Sequence, residues 1–242
     1  MIYLATCAGK QHKASEDAVL IGHNILYESS ETFEMLEKGF ICLADGVGGN
    51  HGGAQASHFV LNALANAGDF HEDQLRAIMN EINDSLIEFA QDDPAAASMA
   101  TTLTGIFVSE NQRLLIHIGN TRAYVKQGNY LKQITSDHTT YNWLKSTGQL
   151  EAAESCNKNE ITNCFGGGDR NLLSKLYISE LQPFSLMMLT SDGVHEYVDI
   201  DTLEDILVRD ISGEEKCQEI LAKAMDNGSN DDISVVIIDS IE

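Results

Sequence analysis

The sequence predicts an α+β domain built on antiparallel sheets rather than a doubly wound parallel sheet. Eight segments are rich in Ile, Val, Leu, Thr and aromatic residues and are bounded by Gly, Asn or Asp, as strands are. These segments do not alternate regularly with helices, which a parallel βαβ architecture would require. The segments RLLIHIGN and TRAYVKQG follow each other directly, and this indicates adjacent antiparallel strands joined by a tight connection.

The predicted elements follow one another in a definite order along the chain. The strand segments are IYLATC, DAVLIGHNILY, GFICLAD, TLTGIFVS, RLLIHIGN, TRAYVKQG, FSLMMLTSD and DISVVIID. Between the third and the fourth of them, residues 53–67 and 72–90 carry apolar side chains at helical spacing, which we interpret as helices packed on a core. Two more helices are expected within residues 200–209 and 213–225.

Length and composition set limits on the organisation and the partners of the protein. A chain of 242 residues with 43% hydrophobic residues can bury one sizeable core, so we expect a single domain over residues 1–242. Residues 137–172 are polar and rich in glycine, and they are expected to form a semi-independent flap. The formal net charge of -22 repels phosphate backbones and anionic membranes, so neither nucleic acid nor membrane is an expected partner.

The cysteine content and the N-terminus indicate a cytoplasmic protein. The five cysteines are odd in number and include no CxxC pair, which argues against a disulfide framework and a zinc site and fits a reducing compartment. No basic region precedes the short apolar stretch at the N-terminus, so this stretch lacks the pattern of a signal peptide. No apolar run approaches the roughly 20 residues of a membrane span.

The stretch LADGVGGNHGG, at residues 43–53, combines a carboxylate with many glycines. Asp45 closes an apolar run, and five of the next eight residues are glycine. Asp-Gly is a common turn dipeptide, whereas Asp at the end of a strand is a poor strand residue and a good site residue. Taken alone, the stretch fits a turn and a functional site equally well.

Carboxylates recur at the ends of other strand segments. Asp192 closes FSLMMLTSD, Asp231 and Asp232 open ISVVII, and Glu16 and Asp17 open AVLIG. Like charges held together are costly unless a cation neutralises them, and oxygen ligands select hard cations such as Mg²⁺, Mn²⁺ or Ca²⁺. Two such ions can share a water and aim it at a phosphoryl group. Each carboxylate alone also fits a strand cap or a turn, and spacing does not establish that these ends meet.

Seven short motifs span nearly the whole chain. They are SEDA at 15–18, ADGVGG at 44–49, ATTLTGIFV at 100–108, IGNTRAYV at 118–125, TSDH at 135–138, TSDGV at 190–194 and NDDISVVII at 230–238. In content and order they resemble the motifs of the metal-dependent protein phosphatases, also called PPM or type 2C serine/threonine phosphatases, in their short bacterial form. The resemblance implies an α+β fold with four layers, an α-β-β-α sandwich of two central antiparallel sheets flanked by helices. It also places a metal site at one end of the sandwich, with the flap beside it.

The resemblance further implies an enzyme with two Mg²⁺ or Mn²⁺ ions as cofactors. It would hydrolyse phosphoserine and phosphothreonine in proteins by in-line attack of a metal-activated water, without a phosphoenzyme. Asp45 would bridge both metals, and with Asp192 and Asp231 it would form the catalytic set. The implied metal ligands are Asp45, Gly46 through its carbonyl, Asp192 and Asp231, and the implied holders of metal-bound water are Glu16 and Asp17.

One departure from the family pattern concerns the substrate phosphate. The family usually has an arginine five residues before the Asp of its SEDA-like motif, and this arginine binds the phosphate; here that position is His12. Arginine offers a bidentate fork that histidine and lysine lack. We hypothesise that His12 or Lys13 takes over phosphate binding, and a solvated basic loop is the alternative.

Three further departures lie close to the implied metals. Asn120 replaces an aspartate that binds a third ion in many bacterial members, whereas Glu196 matches another acidic position of that third site; we expect two tightly held metals. Val47 stands where some members have a histidine proposed as general acid, so the proton would come from elsewhere. Asp232 replaces a usual asparagine, and it either strengthens metal binding or caps the strand.

The leading interpretation is an active phosphatase, and the alternative is a weakly active or inactive relative that binds a phosphoprotein or a kinase as a regulator. The missing arginine favours the alternative. The retained Asp45, Asp192 and Asp231 favour the enzyme, because loss of the metals removes the nucleophile, whereas loss of the arginine mainly weakens binding. The expected partners are a phosphorylated protein substrate and, by analogy only, a cognate serine/threonine kinase, and we expect a monomer.

Overall fold

Two six-stranded antiparallel sheets pack face to face and carry helices on their outer faces, so the predicted four-layer sandwich is confirmed. The fold is that of a computed structural model. It describes residues 1–10, 12, 14–47, 52–68, 71–91, 99–110 and 112–241.

The elements are numbered in chain order. The strands are β1 (Ile2–Cys7), β2 (Ala18–Ile21), β3 (Asn24–Leu26), β4 (Ser30–Phe33), β5 (Gly39–Ala44), β6 (Gly46–Val47), β7 (Ala100–Thr101), β8 (Leu103–Val108), β9 (Arg113–Ile118), β10 (Arg122–Gln127), β11 (Tyr130–Gln133), β12 (Phe165–Gly166), β13 (Tyr177–Glu180), β14 (Phe184–Thr190) and β15 (Ile233–Ile241). The helices are α1 (Gly52–Ala65), α2 (Leu75–Gln91), α3 (Thr140–Ser146), α4 (Leu150–Ser155), α5 (Asp192–His195), α6 (Ile200–Leu207) and α7 (Gly213–Asp226).

The strand order brings distant parts of the sequence together. The first sheet has the order β11-β10-β14-β15-β1-β4, and the second has the order β13-β9-β8-β5-β2-β3. A small third sheet, β12-β7-β6, lies next to the end of β5. Every pairing within the described ranges is antiparallel.

Apolar side chains fill the three spaces between the four layers. Leu43 and Val236 belong to the cluster between the two sheets. Leu61 belongs to the cluster that packs α1 and α2 on the second sheet, and Leu203 and Ile220 pack α6 and α7 on the first. Burial of each such side chain contributes about 1.5–3 kcal/mol, so the sandwich is a rigid support for residues at its ends.

The four helices predicted from apolar spacing are present, with small shifts at their ends. The segment predicted as 53–67 is α1, and the segment 72–90 is a short 3₁₀ helix, Glu72–Gln74, followed by α2. The two C-terminal predictions are confirmed as α6 and α7. Ser212 caps α7 by accepting a hydrogen bond from Glu215 N–H, and the Glu215 side chain returns a contact to the cap.

The predicted tight antiparallel pair RLLIHIGN and TRAYVKQG is wrong. The first segment is β9, which pairs with β8 and β13, whereas the second is β10, which pairs with β11 and β14 in the opposite sheet. The chain crosses between the sheets at Gly119, where the backbone has a φ of 103° that favours glycine. Both strands are apolar enough to fit either arrangement. The segment DAVLIGHNILY is likewise two strands, β2 and β3, turned at Gly22.

Residues 137–172 carry their own short elements between β11 and β13. Helix α3 begins after Thr139, whose hydroxyl accepts a hydrogen bond from Asn142 N–H at 3.3 Å. Helix α4, strand β12 and a 3₁₀ helix at Arg170–Leu173 follow. Across the described ranges, no helix has both the length and the apolar character needed to cross a lipid bilayer.

Candidate metal centre

The strand ends that carry carboxylates lie at one end of the sandwich. In the second sheet, Ala18 at the start of β2 is opposite Ala44 at the end of β5. In the first sheet, Thr190 at the end of β14 is opposite Val235, near the start of β15. The acidic residues next to these strand ends therefore point toward a common region from both sheets.

Asp45 and Asp192 are the centre of this acidic cluster. Burial, followed by the charge of Asp192, raises the pKa of Asp45 well above its usual range, and Asp17, Asp231 and Asp232 act in the same direction. Burial and the charge of Asp231 raise the pKa of Asp192 to about 7, although a hydrogen-bond contact with Asp45 opposes this rise. A carboxylate whose charge raises the pKa of a neighbouring carboxyl group lies close enough to repel its ionised form.

Asp17 is the most deeply buried of these acids. Its side chain is 1% exposed, and neither carboxyl oxygen has a hydrogen-bond partner of good geometry among the described residues. Burial and the charge of Asp232 raise the pKa of Asp17 well above its usual range, while the nearby hydroxyls of Ser234 and Ser191 moderate this rise. A buried carboxylate without a partner is costly, so a nearby cation would stabilise the ionised form of this residue.

The cluster as a whole fits hard divalent cations. Its donors are carboxylate oxygens, which Mg²⁺ and Mn²⁺ prefer over the nitrogen and sulfur donors of a zinc site. A cation would offset the burial and the neighbouring charges that raise the pKa of Asp45 and Asp192, and water bound to it would give the unpaired oxygens of Asp17 a partner.

The backbone of Asp45 is fixed by strand β7 and by Thr102, the residue that follows it. Asp45 N–H donates to Thr102 Oγ1 at 3.1 Å, and Asp45 C=O accepts from Thr102 N–H at 2.9 Å. The same carbonyl accepts the hydroxyl of Thr101 at 2.9 Å. Gly46 N–H donates to Glu16 C=O at 3.2 Å, so the two acidic segments are joined directly.

The glycines around Asp45 allow a close approach between β6 and α1. A Cβ on Gly53 would lie 2.6 Å from Glu16 Oε2 and 2.8 Å from the carbonyl carbon of Gly46. Only glycine fits at that separation. Residues 48–51, which include the glycines predicted to keep the approach to the site open, lie outside the described residues.

Asp232 organises the loop that precedes the first acidic motif. It is 3% exposed and accepts hydrogen bonds from Gly9 N–H at 2.7 Å and from Glu16 N–H at 2.6 Å. His12 Nδ1 lies 3.0 Å from Asp232 Oδ1. Protein groups therefore contact both carboxyl oxygens of Asp232. This residue fits neither a simple strand cap nor a metal ligand with a free oxygen.

His12 lies beside the two acids at the start of β15. Potential ligand atoms of His12, Asp231 and Asp232 all lie within 4.8 Å of one another. Partial burial acts to lower the pKa of His12, but the hydrogen bond and charge of Asp232 outweigh it, and the pKa is raised above its usual value. The other candidate for phosphate binding, Lys13, lies outside the described residues.

Asn120 and Glu196 both lie next to Asp192. Asn120 Nδ2 donates to Asp192 Oδ2 at 2.9 Å, and so a neutral amide contacts the carboxylate where the family often has an acid. Glu196 is exposed, and its charge contributes to the raised pKa of Asp192.

A cavity of about 710 Å³ opens from this region toward residues 137–172. Its wall includes Asn120, Glu196, Tyr141, Lys158 and Asn159. Asn159 Nδ2 donates to Glu196 Oε2 at 2.9 Å, which joins residues 137–172 to the acidic cluster. Sequence reasoning missed Asn159, because a single polar residue in a polar segment carries no signal of its contact.

Comparison with known proteins gives consistent matches. The family model for protein phosphatase 2C matches residues 32–232. The serine/threonine phosphatase stp of Listeria welshimeri is 27% identical over 211 residues, which cover 82% of this chain and 83% of that protein. Protein phosphatase PhpP of Streptococcus pneumoniae is 30% identical over 208 residues, which cover 82% of this chain and 84% of that protein.

Solved structures agree with the sequence matches. The serine/threonine phosphatase Stp1 from Staphylococcus aureus is similar over 100% of this chain and 94% of its own, with a TM-score of 0.80 and 28% identity. The phosphatase PstP/Ppp of Mycobacterium tuberculosis is similar over 99% of this chain, with a TM-score of 0.78 and 26% identity.

Proposed function

Because this chain belongs to the protein phosphatase 2C family and is a metal-dependent protein serine/threonine phosphatase, we propose that the carboxylates of Asp45, Asp192 and Asp231 hold its catalytic metals. The observation that carries this proposal is the cluster of buried carboxylates at one end of the sandwich, where burial and the charge of Asp192 raise the pKa of Asp45, and burial and the charge of Asp231 raise the pKa of Asp192. Two Mg²⁺ or Mn²⁺ ions fit these donors.

Each residue of the site has a separate task. Asp45, the carbonyl of Gly46, Asp192 and Asp231 would hold the metals. Glu16 and Asp17 would hold water next to the metals. When bound, the ions activate a water molecule for in-line attack and neutralise charge on the phosphoryl group.

The simplest test of this function is metal-dependent phosphate release. We expect turnover of an aryl phosphate and of a phosphothreonine peptide in the presence of Mn²⁺, and none after chelation. A weakly active regulator is the second candidate, since the arginine expected at position 12 is absent. Tight metal binding without turnover of either compound would favour that candidate.

His12 is proposed to bind the substrate phosphate in place of arginine, and Asp232 is proposed to hold its ring in position. The contact from His12 Nδ1 to Asp232 Oδ1 at 3.0 Å fixes one edge of the imidazole. The ring is partly exposed, at 35%, so its other edge can reach a ligand. The buried carboxylate also favours the cationic form that an anion would need.

Replacing His12 with alanine is expected to raise KM by roughly tenfold, since hydrogen bonds to charged groups contribute about 1.5–3 kcal/mol. The measurement is kcat and KM for a phosphothreonine peptide. His12→Arg is the matched variant; it restores the group that the family usually has and is expected to keep KM at the wild-type value or below. Unchanged kcat and KM in His12→Ala would instead support a solvated basic loop.

Asn120 is proposed to limit the site to two tightly held metals, because its amide contacts Asp192 where an acid would attract a further cation. We expect Asn120→Asp to bind one additional Mn²⁺, since two carboxylates about 3 Å apart repel unless a cation lies between them. Calorimetric stoichiometry and anomalous scattering measure this. Asn142→Asp, on the wall of the same cavity, is the control for added charge. A fully occupied third ion in the wild type would contradict the proposal.

Residues 137–172 are proposed to act as a flap of a single domain, because Asn159 contacts Glu196 beside the metal ligands.

The substrate is proposed to be a phosphorylated protein, and a cognate serine/threonine kinase is a proposed partner. We also propose a monomer that works in the cytoplasm, where the five free cysteines would stay reduced.

A further inference from the structure

A continuous chain of buried polar side chains runs from the backbone of Asp45 to the start of residues 137–172. It begins at Thr102 Oγ1, which accepts Asp45 N–H at 3.1 Å, and Thr102 Oγ1 lies 3.3 Å from Thr121 Oγ1. Thr121 Oγ1 lies 2.7 Å from Thr104 Oγ1, which lies 2.8 Å from Nδ1 of His117. The chain therefore links β8, β9 and the crossing between the sheets.

The far end of the chain reaches the base of residues 137–172. His117 Nε2 lies 2.9 Å from Ser136 C=O, and the rings of His117 and His138 lie 4.9 Å apart. His138 C=O accepts Thr162 N–H at 2.9 Å, within the same segment. His138 also contacts Gly119, because its Nδ1 accepts a hydrogen bond from Gly119 N–H at 3.1 Å.

The directions of the hydrogen bonds follow from the acceptors at each end. A carbonyl can only accept, so His117 Nε2 carries the proton and donates to Ser136. Burial lowers the pKa of His117, so the ring is neutral and its Nδ1 accepts the hydroxyl of Thr104. Thr121 is then left to share its single hydroxyl proton between Thr104 Oγ1 at 2.7 Å and Thr102 Oγ1 at 3.3 Å, both of which accept it.

Burial makes the chain of hydroxyls hard to interrupt. Thr102, Thr104 and Thr121 are each 0% exposed, and His117 is 1% exposed. Removing one member leaves a buried partner unsatisfied, which costs about 1–3 kcal/mol, because no water replaces the lost bond.

We propose that His117 is a positioning residue, which acts through Thr104, Thr121 and Thr102 to couple the base of residues 137–172 to the backbone of Asp45. The inference rests on the proposed role of Asp45 as a metal ligand. The two ends bias each other: a metal bound at Asp45 fixes the chain of hydroxyls, and the chain fixes Ser136 and His138, from which helix α3 begins.

The closing experiment compares Thr104→Val, which keeps the shape and removes the hydroxyl, with Thr104→Ser, which keeps the hydroxyl. Mg²⁺ binding is measured by calorimetry and kcat and KM by phosphopeptide turnover. The emission of Trp143, the one tryptophan of the chain, reports on α3, where its side chain is 56% exposed. Thr121→Val and His117→Gln are second variants in case Thr104→Val does not fold.

We expect Thr104→Val to weaken Mg²⁺ binding about tenfold, as loss of an outer partner of a metal ligand does. We also expect kcat to fall more than KM rises, and the change in Trp143 emission on Mg²⁺ addition to be lost. Thr104→Ser is expected to behave as the wild type in all three measurements. This rescue separates the hydroxyl's role from general destabilisation, which thermal unfolding monitors in parallel.

Two results would overturn the coupling. One is a Thr104→Val protein that is folded and matches the wild type in Mg²⁺ affinity and in the Trp143 response. The other is a wild-type Trp143 emission that does not respond to Mg²⁺. The Asp45→Asn variant distinguishes these two results from failure of the proposed metal site. If Asp45→Asn abolishes Mg²⁺ binding, the metal site stands and the coupling alone is wrong. If it binds Mg²⁺ as the wild type does, both are wrong.

Discussion

Replacing Asp192 with asparagine is expected to abolish metal-dependent turnover and, at the same time, to stabilise the metal-free protein. The loss of activity follows because Asp192 is a proposed metal ligand, and the metals contribute several kcal/mol of charge stabilisation to the transition state. We expect kcat/KM to fall by at least ~10³-fold, since each 1.36 kcal/mol corresponds to a factor of ten.

The gain in stability has a different origin, which is the burial of Asp192 together with the repulsion from neighbouring carboxylates. Burial and the charge of Asp231 raise the pKa of Asp192 to about 7. A carboxylate whose pKa is raised on folding destabilises the folded state at pH values above that pKa, where both states are ionised. At pH 8, asparagine removes this penalty, and its side-chain oxygen can still accept the amide of Asn120.

The expected stabilisation of the metal-free protein is about 2 kcal/mol, because one pKa unit corresponds to about 1.4 kcal/mol and the acids of the cluster share the penalty. In a chain of this length, that raises Tm by roughly 4–8 °C. Thermal unfolding at pH 8 in the presence of a chelator measures it, and Asp210→Asn, at an exposed position, is the control. A lower Tm in Asp192→Asn than in the control variant would show that Asp192 supports the fold rather than opposing it.

Mg²⁺ is expected to stabilise the wild type but not the Asp192→Asn variant. It should raise the Tm of the wild type, because a ligand that binds only the folded state stabilises it. It should leave the Tm of Asp192→Asn nearly unchanged. Equal increases for both proteins would contradict the assignment of Asp192 to the metals.

Much of the site could be predicted because its acids lie next to strands, and the strands are strongly marked in the sequence. Asp45 and Asp192 each end a run of apolar residues that is long enough to identify as a strand. The order of the motifs then predicted the fold through a family resemblance. Apolar periodicity alone did not show that these strand ends would meet.

The placement of β9 and β10 in opposite sheets could not be predicted in the same way. Both strands contain buried residues, such as Ile116 in β9 and Ala123 in β10. Neither the alternation of apolar and polar residues nor their burial therefore distinguishes two neighbours in one sheet from two strands in facing sheets. The distinction depends on Gly119 and on the packing of the whole sandwich. This error mattered for function, since the crossing places Asn120 against Asp192.

The role of Asp232 was likewise hidden, because its partners come from a distant part of the chain. Gly9 and Glu16 bind it through backbone N–H groups, which leave no signature in the residue types. The hydroxyl chain through Thr104 and Thr121 has the same property: threonine is a common strand residue, and only the fold shows that these two face each other.

The close approach of β6 and α1 leads to a second prediction of large effect, at Gly53. A Cβ there would lie 2.6 Å from Glu16 Oε2 and 2.8 Å from the carbonyl carbon of Gly46, so Gly53→Ala must displace one or both groups. Gly46 offers the carbonyl proposed as a metal ligand, and Glu16 is proposed to hold metal-bound water. We expect metal affinity and kcat/KM each to fall by about 10–100-fold.

The neighbouring Gly52 provides a matched control within the first turn of the same helix. A Cβ on Gly52 would meet the side chain of Met99 at 3.5 Å, which is an ordinary contact. Because alanine also favours helix over glycine by up to about 1 kcal/mol, Gly52→Ala is expected to keep activity and to hold or raise Tm. Calorimetric metal affinity, kcat/KM and Tm distinguish the two variants. If Gly53→Ala bound metal and turned over peptide as Gly52→Ala does, then contact between β6 and α1 would not position the site, and the glycines after Asp45 would serve the turn alone.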